Sequence, residues 1–234
     1  MNYKRILSEM KDISENPLYN EGIYVMFNSD NITKAYALIV GPKDTPYYGG
    51  FFLFSIEYPA EYPYVPPLVK FETLESRVRF NPNLYEDGKV CLSIINTWEG
   101  DGWRPENTIR SILLSILGLV LLNNPLVNEP GYNEYNNTNK KYKLYNNYVR
   151  YATCKYAILG INKYLVGEFS KFKIIVDKIL KDRYKEYCEY LTQLCLKYEK
   201  KKNIYDPVYI SDKVQKKLLR NYNEIYNNFI KMIK

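Results

Sequence analysis

The sequence predicts an α+β protein in which a short helix precedes a four-stranded antiparallel meander and further helices follow it. Four short segments rich in aromatic and β-branched residues lie between residues 22 and 72, separated by turn-forming residues. Apolar residues at helical spacing occur before and after these segments. Because strands and helices do not alternate, this order favours an α+β fold over a βαβ architecture.

The N-terminal helix is predicted over residues 3–14, where Ile6, Met10 and Ile13 recur at helical spacing and Asn16-Pro17 follows. Its basic residues have two interpretations: a solvated edge of a helix that packs on the fold, or an exposed edge that docks a partner. The strands are predicted over residues 22–28, 33–41, 50–57 and 67–72.

A proline-rich segment, YPAEYPYVPP, occupies residues 58–67 between the last two predicted strands. It is either a rigid loop or a polyproline-type ligand for another domain. Because strands flank it closely, we interpret it as a rigid loop. The Tyr62-Pro63 bond is a candidate for the cis conformation, which occurs mainly at X-Pro bonds in tight turns.

The stretch Phe80–Pro105 is predicted to form an active-site loop. An Asn-Pro-Asn turn is followed, eight residues after Asn83, by Cys91 between apolar neighbours. Cys91 is either a nucleophile or a buried structural thiol. Asn83 is either a side-chain amide that reaches it or a turn-capping residue. A mostly apolar central helix is predicted over residues 106–122, with Glu106 at its positive N-terminal end.

The chain contains no histidine, which excludes Ser-His-Asp and Cys-His hydrolases and HExxH zinc enzymes. A nucleophilic cysteine without an imidazole base suits thioester exchange, in which the acyl group arrives already activated. The other three cysteines, Cys154, Cys188 and Cys195, lie in helical patterns and are predicted to be packing residues. No metal-ligand spacing is present, and neither a metal nor a cofactor is predicted.

Charge divides the chain into two parts. Residues 1–134 carry 11 Lys and Arg against 17 Asp and Glu, a net charge of −6, whereas residues 135–234 carry 22 against 9, a net charge of +13. We therefore predict a core at residues 1–135 and a basic C-terminal extension at residues 136–234. Three helices are predicted in this extension, over residues 138–165, 168–201 and 212–233.

The extension has two interpretations. One is a binder of nucleic acid or another acidic surface, since a strongly basic segment can neutralise phosphates. The other is a helical unit that packs on or beside the core and selects partners. The regular apolar spacing favours packing. The N-terminus lacks a secretory signal, and the longest apolar run, Ile112–Leu122, is too short to span a bilayer, so an intracellular protein without a membrane partner is predicted.

Several motifs at fixed spacing resemble those of the ubiquitin-conjugating enzymes. These are GPKDTPYYGGFF (residues 41–52), YPYVPPLVKF (62–71), NPN followed by YEDGKVCL (81–92), and Trp103-Arg104-Pro105. The longer loop NTWEGDGW and the segment NEPGY resemble the subgroup of this family with extended loops, one member of which also has a C-terminal helical extension. The resemblance implies the conjugating-enzyme fold over residues 1–125.

The resemblance also implies roles for individual residues. Cys91 corresponds to the thioester-forming cysteine, Asn83 to the amide that supports the active-site loop and stabilises the oxyanion, and Tyr85 to a guide for the incoming lysine. The implied partner surfaces are the N-terminal helix for the activating enzyme, and two loops for ligases. Their residues are Lys4, Arg5, Tyr64, Arg104, Pro105 and Glu106.

Two positions depart from the family pattern. The motif's histidine is replaced by Asn81, whose amide could hold the turn instead. The acidic or serine gate after the central helix is missing, and Asn124 or Asn128 is the available substitute.

The resemblance implies a transferase that receives ubiquitin or a ubiquitin-like modifier from an activating enzyme in an ATP-dependent pathway, and passes it to a substrate lysine or a ligase. The alternative is a non-catalytic variant that binds ubiquitin or a ligase as a scaffold. Activity in the cytoplasm or nucleus is expected, and nucleic acid is not an expected partner.

Overall fold

The structure, a computed structural model, describes residues 3–75, 78–132, 140–198, 202–205 and 217–233. A helix, α1 (Tyr3–Glu15), comes first, and a four-stranded antiparallel sheet, a long loop and a central helix follow it. Further helices and one two-stranded hairpin complete the described chain. This order confirms the predicted α+β fold class.

The sheet consists of β1 (Ile23–Phe27), β2 (Lys34–Val40), β3 (Phe51–Glu57) and β4 (Leu68–Phe71). The strands pair antiparallel in chain order, as expected for a meander. Every predicted strand end lies within one residue of the observed one, because turn residues close each strand tightly. The Tyr62-Pro63 bond is cis, as predicted.

Both faces of the sheet are buried, although antiparallel sheets commonly leave one face to solvent. Side chains alternate between faces along a strand. Phe52 and Phe54 of β3 therefore join an apolar cluster with the first and central helices, whereas Phe51 and Leu53 join a second cluster with the C-terminal helices. This alternation explains why the sequence FFLF is uniformly apolar.

The central helix α2 (Ile109–Ser115) begins later than predicted and ends in a π-helical turn, Ile116–Val120. Thr108 caps it, since its hydroxyl accepts a hydrogen bond from the N–H of Ser111. The negative charge at its N-terminus comes from Glu9, whose Oε2 accepts from the N–H of Ile109 at 2.8 Å. The predicted start at Glu106 was therefore wrong.

The C-terminal extension contains α3 (Lys140–Ala152), α4 (Lys173–Asp182), α5 (Tyr184–Lys197) and α6 (Tyr222–Ile233). A π-helical turn continues α3, and short 3₁₀ turns lie between α3 and α4. A hairpin joins α5 to α6. Its strands are β5 (Lys202–Tyr205) and β6 (Lys217–Arg220).

All three predicted helices of the extension were wrong in extent. The helix predicted over 138–165 ends in the π-helical turn Thr153–Ile158, and a separate 3₁₀ turn, Ile161–Lys163, follows it. The helix predicted over 168–201 is interrupted at Arg183, which turns its guanidinium towards Tyr48 and Glu186. The helix predicted over 212–233 begins only at Tyr222, after β6, and the Asn221 side chain caps it by accepting from the N–H of Glu224. The predicted positions 138–139, 199–201 and 212–216 lie outside the described residues.

The extension packs directly on the sheet and its connecting loops. The hydroxyl of Tyr187 donates to the carbonyl oxygen of Gly49 at 2.7 Å, and a Cβ at Gly49 would lie 2.6 Å from the Tyr187 ring. Gly49 also has φ +73, which favours glycine. Lys163 forms an ion pair with Glu75 at 2.9 Å. The packing interpretation of the extension agrees with these contacts, while the division at residue 135 stays a prediction.

In the described residues, no helix is long and apolar enough to cross a membrane.

Glu186 provides a pH-dependent test of how the extension is anchored. Hydrogen bonds from Arg183, and next from the Tyr48 hydroxyl, lower the pKa of Glu186 to about 2. Because this pKa lies below the ordinary carboxyl value of about 4.3, the stabilisation is complete above that pH and is lost as the pH falls towards 2. Urea unfolding should therefore show Glu186→Gln to be less stable than the native chain at pH 7 and equal to it near pH 2.

The matched control is Glu189→Gln, an exposed carboxylate on the same helix. It should leave the free energy of unfolding within about 0.5 kcal/mol of the native value at both pH values. A stability difference for Glu186→Gln that does not change with pH would contradict the assignment.

Candidate active site

The turn that contains Asn83 is closed by backbone hydrogen bonds and holds Cys91 beside it. The N–H of Leu84 donates to the carbonyl oxygen of Asn81 at 2.9 Å. The N–H of Cys91 donates to the carbonyl oxygen of Asn83, also at 2.9 Å. The cysteine and the amide that the sequence analysis paired are therefore joined through their backbones.

Asn81 is fully buried beneath this turn, and its side-chain amide makes four hydrogen bonds. Its Nδ2 donates to the carbonyl oxygen of Val120 at 2.7 Å and to the Tyr47 hydroxyl at 3.0 Å. Its Oδ1 accepts from the N–H of Asn83 at 2.8 Å and from Nδ2 of Asn128 at 3.2 Å. A carbonyl only accepts and an N–H only donates, so these contacts fix the orientation of the amide.

These bonds connect three segments: the active-site turn, the end of the central helix, and the 3₁₀ turn Pro125–Asn128. The amide at Asn81 makes more contacts than a histidine could, because an imidazole has only two ring nitrogens. Asn81 therefore holds the turn in a different way from the histidine of the family motif.

A cleft with a volume of 870 Å³ opens beside the turn, and we call it the Asn83 cleft. Asn83 lies between two walls, one formed by the loop 96–99 and the other by the segment 127–130. The charged side chain in its lining is that of Glu99. The lining residues are Asn83, Asn96, Thr97, Trp98, Glu99, Val127, Asn128 and Pro130.

Cys91 lies under the surface and is 1% exposed. The sequence analysis required an accessible thiol, and this conformation does not provide one. Its neighbours Val90 and Leu92 are buried as well. A thiol at this depth can react with another protein only after the side chains above it move.

Asn83 has an unused side-chain amide. The residue is 8% exposed and lines the cleft, its buried Oδ1 has no hydrogen-bond partner, and its side chain forms no hydrogen bond with the described residues. A buried unpaired polar atom costs about 1–3 kcal/mol, so such a group is usually kept for a reason other than stability. The turn itself is capped by the side chain of Asn81, not by that of Asn83.

The two substitutes for the missing gate lie in different places. Asn124 is 2% exposed, outside the lining of the cleft, and neither polar atom of its side chain has a partner in the described structure. Asn128 lines the cleft, and its Nδ2 also donates to the carbonyl oxygen of Leu119 at 2.8 Å. Of the two, Asn128 is the one that lines the cleft together with Asn83.

Tyr85 is half-buried and lies outside the lining of the cleft. The guanidinium of Arg79 stands 4.1 Å from the centre of its ring, and the Lys89 ammonium stands 5.5 Å from it. Two cations thus already occupy the surroundings of the ring. Its role as a lysine guide stays a prediction, made in an environment that is electrostatically unfavourable for another cation.

The two basic residues assigned to docking on α1 differ. Lys4 is exposed. Arg5 is held within the molecule: its Nε donates to Glu9 at 2.6 Å, and its guanidinium also donates to the carbonyl oxygen of Asn107 at 2.8 Å. Glu9, only 4% exposed, further accepts a hydrogen bond from the Tyr62 hydroxyl. Arg5 therefore fastens α1 to the segment before α2.

The residues assigned to ligase contact are exposed and lie close together. Tyr64 is 79% exposed, and residues 104–106 are also exposed. Trp103 joins the two loops, since its Nε1 donates to the carbonyl oxygen of Pro63 at 2.7 Å. The sequence analysis treated these loops as one surface, and this hydrogen bond brings them together.

The loop 96–99 was missed as a contributor of site residues. The hydroxyl of Thr97 donates to the carbonyl oxygen of Val90 at 2.7 Å and accepts from the N–H of Leu92 at 2.9 Å, which fastens the loop to both neighbours of Cys91. The signal in the sequence was the glycine at position 100. In the structure Gly100 has φ +140, and a Cβ built on it would lie only 2.7 Å from the Cβ of Ser93. Such a glycine indicates a loop folded back on its own chain.

Replacing Asn81 should destabilise the protein strongly. In Asn81→Ala, the carbonyl of Val120 and the N–H of Asn83 lose their buried partner, at about 1–3 kcal/mol each. We expect the free energy of unfolding in urea to fall by about 2–5 kcal/mol. Asn16→Ala, which removes an exposed amide, serves as the control and should change it by less than about 0.5 kcal/mol. Equal effects of the two substitutions would be incompatible with a central role for Asn81.

Comparisons with known proteins identify the family. The family model described as ubiquitin-conjugating enzyme matches residues 5–153. The chain is similar to ubiquitin-conjugating enzyme E2 Z of Danio rerio, with 39% identity over 81% of this chain and 57% of that protein. It is also similar to human E2 Z, with 44% identity over 66% and 43% of the two chains.

A third relative is the human dual E2 ubiquitin-conjugating enzyme/E3 ubiquitin-protein ligase BIRC6, with 41% identity over 60% of this chain and 3% of that protein. The chain thus spans about half the length of the E2 Z proteins and a small part of BIRC6. The motifs around Cys91 and a family match over more than half of the sequence lead to one conclusion: this chain belongs to the ubiquitin-conjugating enzyme family.

Proposed function

We propose that this protein accepts ubiquitin or a ubiquitin-like modifier as a thioester on Cys91 and transfers it to a substrate lysine or to a ligase. The observation that carries the proposal is the backbone contact between Cys91 and Asn83 at 2.9 Å, together with the place of Asn83 in the lining of an open cleft. Family membership and the relatives' printed names support it.

The proposed reaction has two acyl transfers. In the first, the Cys91 thiolate attacks the thioester carbon that joins the modifier to the activating enzyme. A new C–S bond to Cys91 forms, the C–S bond to the activating enzyme breaks, and the cysteine of that enzyme leaves as a thiolate. In the second, a lysine amine that has lost one proton to solvent attacks the same carbon. A C–N bond forms, the C–S bond breaks, and Cys91 leaves as a thiolate, while the second proton of the amine passes to solvent.

Asn83 has the chemistry needed to stabilise the tetrahedral intermediate. Attack by the amine places negative charge on the carbonyl oxygen, and the side-chain NH₂ of Asn83 can donate a hydrogen bond to it. A donor of this kind is worth about 2.7–4 kcal/mol in other oxyanion holes. No hydrogen bond to a described residue competes for that donor.

We propose an activating enzyme and a ligase as partners. The exposed Lys4 edge of α1 would serve the first, and the surface that combines Tyr64 with residues 104–106 would serve the second. All four cysteines are free thiols, which is typical of a reducing compartment and supports a cytoplasmic or nuclear location.

The burial of Cys91 is compatible with a second candidate function, which the family match and the names of the relatives do not favour. A non-catalytic family member that binds ubiquitin or a ligase as a scaffold needs no accessible thiol, and Cys91 is 1% exposed in this conformation. Charging of the cysteine separates the two candidates directly.

Thioester formation is the first measurement. Incubated with an activating enzyme, ATP and ubiquitin, the native chain should give an adduct on a non-reducing gel that disappears with a thiol reagent. Cys91→Ala should give none, because the acyl acceptor is gone. The control Cys188→Ala, which removes a half-exposed thiol of α5, should charge normally. If the native chain forms no adduct with ubiquitin or with ubiquitin-like modifiers, each offered with its own activating enzyme, the catalytic proposal fails.

Asn83 is tested by separating charging from discharge. Asn83→Ala should form the thioester at the native rate, because its acceptor is intact, and should lose it to lysine about 10²–10³-fold more slowly. Single-turnover discharge measures the second step alone. A native rate of discharge would remove Asn83 from the oxyanion site.

A further inference from the structure

The loop 96–99 presents two side chains that the proposed transfer does not yet use. Trp98 is 42% exposed, and Glu99 is exposed beside it. Both line the Asn83 cleft, as Asn128 does. Within the described structure, neither side chain takes part in a hydrogen bond, an ion pair or a ring contact.

We propose that Trp98 and Glu99 recognise the acceptor lysine, with the indole packing on its alkyl chain and the carboxylate binding its ammonium group. This inference rests on the proposed function. It assigns specificity for a cationic primary amine to the extended loop, at a site distinct from the gate position after the central helix.

Charge in and around the cleft supports a cationic ligand. Glu99 contributes the charged side chain of the lining, and the remaining lining residues are neutral. On the other side of the turn, Arg79 and Lys89 surround Tyr85. The Tyr85 ring therefore already has two cations against it, whereas the carboxylate of Glu99 stands in the cleft, where it attracts an arriving ammonium group.

The chemistry of both side chains matches a lysine. A carboxylate forms charge-assisted hydrogen bonds with an ammonium group, and an indole face attracts a cation and packs against methylene groups. The amides of Asn83 and Asn128 complete the lining with groups that can hydrogen-bond an amine.

The wall that carries these side chains is preorganised. Thr97 ties it to both neighbours of Cys91, as described above. At its start, Asn96 adopts the left-handed conformation with φ 58, and its Oδ1 accepts from the N–H of Trp103 at 2.7 Å. A fixed wall loses little conformational entropy when a ligand binds, so its contacts can contribute to binding.

Glu99 should act on binding and not on the chemical step. A neighbouring carboxylate stabilises the ammonium form of lysine, whereas only the neutral amine attacks the thioester. The attacking nitrogen regains positive charge as the C–N bond forms, so Glu99 stabilises the bound ammonium and the transition state alike. Its contribution therefore lowers the half-saturating concentration of the acceptor and leaves the maximal rate of discharge unchanged. This separation distinguishes Glu99 from Asn83.

The experiment uses the full chain charged with ubiquitin on Cys91, after which ATP is removed. Discharge is followed against increasing concentrations of Nα-acetyl-lysine amide, whose only amine is the side-chain one, and against hydroxylamine, which is uncharged at pH 7.5. Glu99→Gln should raise the half-saturating concentration of the lysine compound about three- to fivefold and leave its maximal rate unchanged. Discharge by hydroxylamine should not change.

Asp101→Asn is the matched control, because Asp101 is an exposed carboxylate of the same loop that lies outside the cleft lining. It should behave as the native chain does. Glu99→Lys should raise the half-saturating concentration about tenfold or more, and Trp98→Ala about threefold. Added salt should shrink the difference between Glu99→Gln and the native chain.

Two results would overturn the inference. In one, Glu99→Gln and Asp101→Asn give the same lysine dependence as the native chain. In the other, Glu99→Gln slows lysine and hydroxylamine equally, which would make Glu99 a residue that only supports the loop. Failure of the proposed function is visible earlier, as a native chain that never acquires the thioester, and that result would remove this inference with it.

Discussion

The four hydrogen bonds of Asn81 are the constraint on which the site depends. They position the Asn83 turn, the end of the central helix and the segment that carries Asn128. The Asn128 side chain adds a second link between the last two segments, through the carbonyl oxygen of Leu119. The π-helical turn at the end of α2 is part of the same arrangement, because it presents the carbonyl of Val120 to the amide. The position of the turn also helps to set the position of Cys91, because the N–H of Cys91 donates to the carbonyl oxygen of Asn83.

The sheet supports this site from behind and has no free face. Apolar side chains on its far side, such as Phe51 and Leu53, are covered by helices of the C-terminal extension. Each such side chain gains about 1.5–3 kcal/mol from burial, so the extension contributes to the stability of the sheet on which the core is built. The charge difference between the two parts does not keep them apart, because apolar side chains of the sheet and of the extension share one buried cluster.

Local patterns predicted the strands and the positions of Cys91 and Asn83, because turn residues and motif spacing lie in adjacent sequence. Features set by distant residues were not predictable in this way. At the start of α2, Glu9, a hundred residues away in sequence, adds a contact to the local Thr108 cap, and at the break near Arg183 the guanidinium contacts the distant Tyr48. For Cys91, the apolar neighbours were compatible with burial, but the sequence left a buried thiol and a nucleophile as alternatives.

The sequence has no acidic residue at the gate position after the central helix, but the cleft does contain a carboxylate, that of Glu99. Glu99 belongs to the loop that follows Cys91, and Thr97 fastens this loop to Val90 and Leu92, the two neighbours of Cys91. In the proposed transfer, Asn83 and Glu99 have different roles towards a lysine acceptor. Glu99 is suited to the charged form that arrives, and Asn83 to the oxyanion that forms once the proton has left. In this proposal Glu99 acts on the charge of the lysine nitrogen and Asn83 on the charge of the carbonyl oxygen. Because the two side chains act on different atoms, binding of the acceptor and stabilisation of the intermediate do not oppose each other.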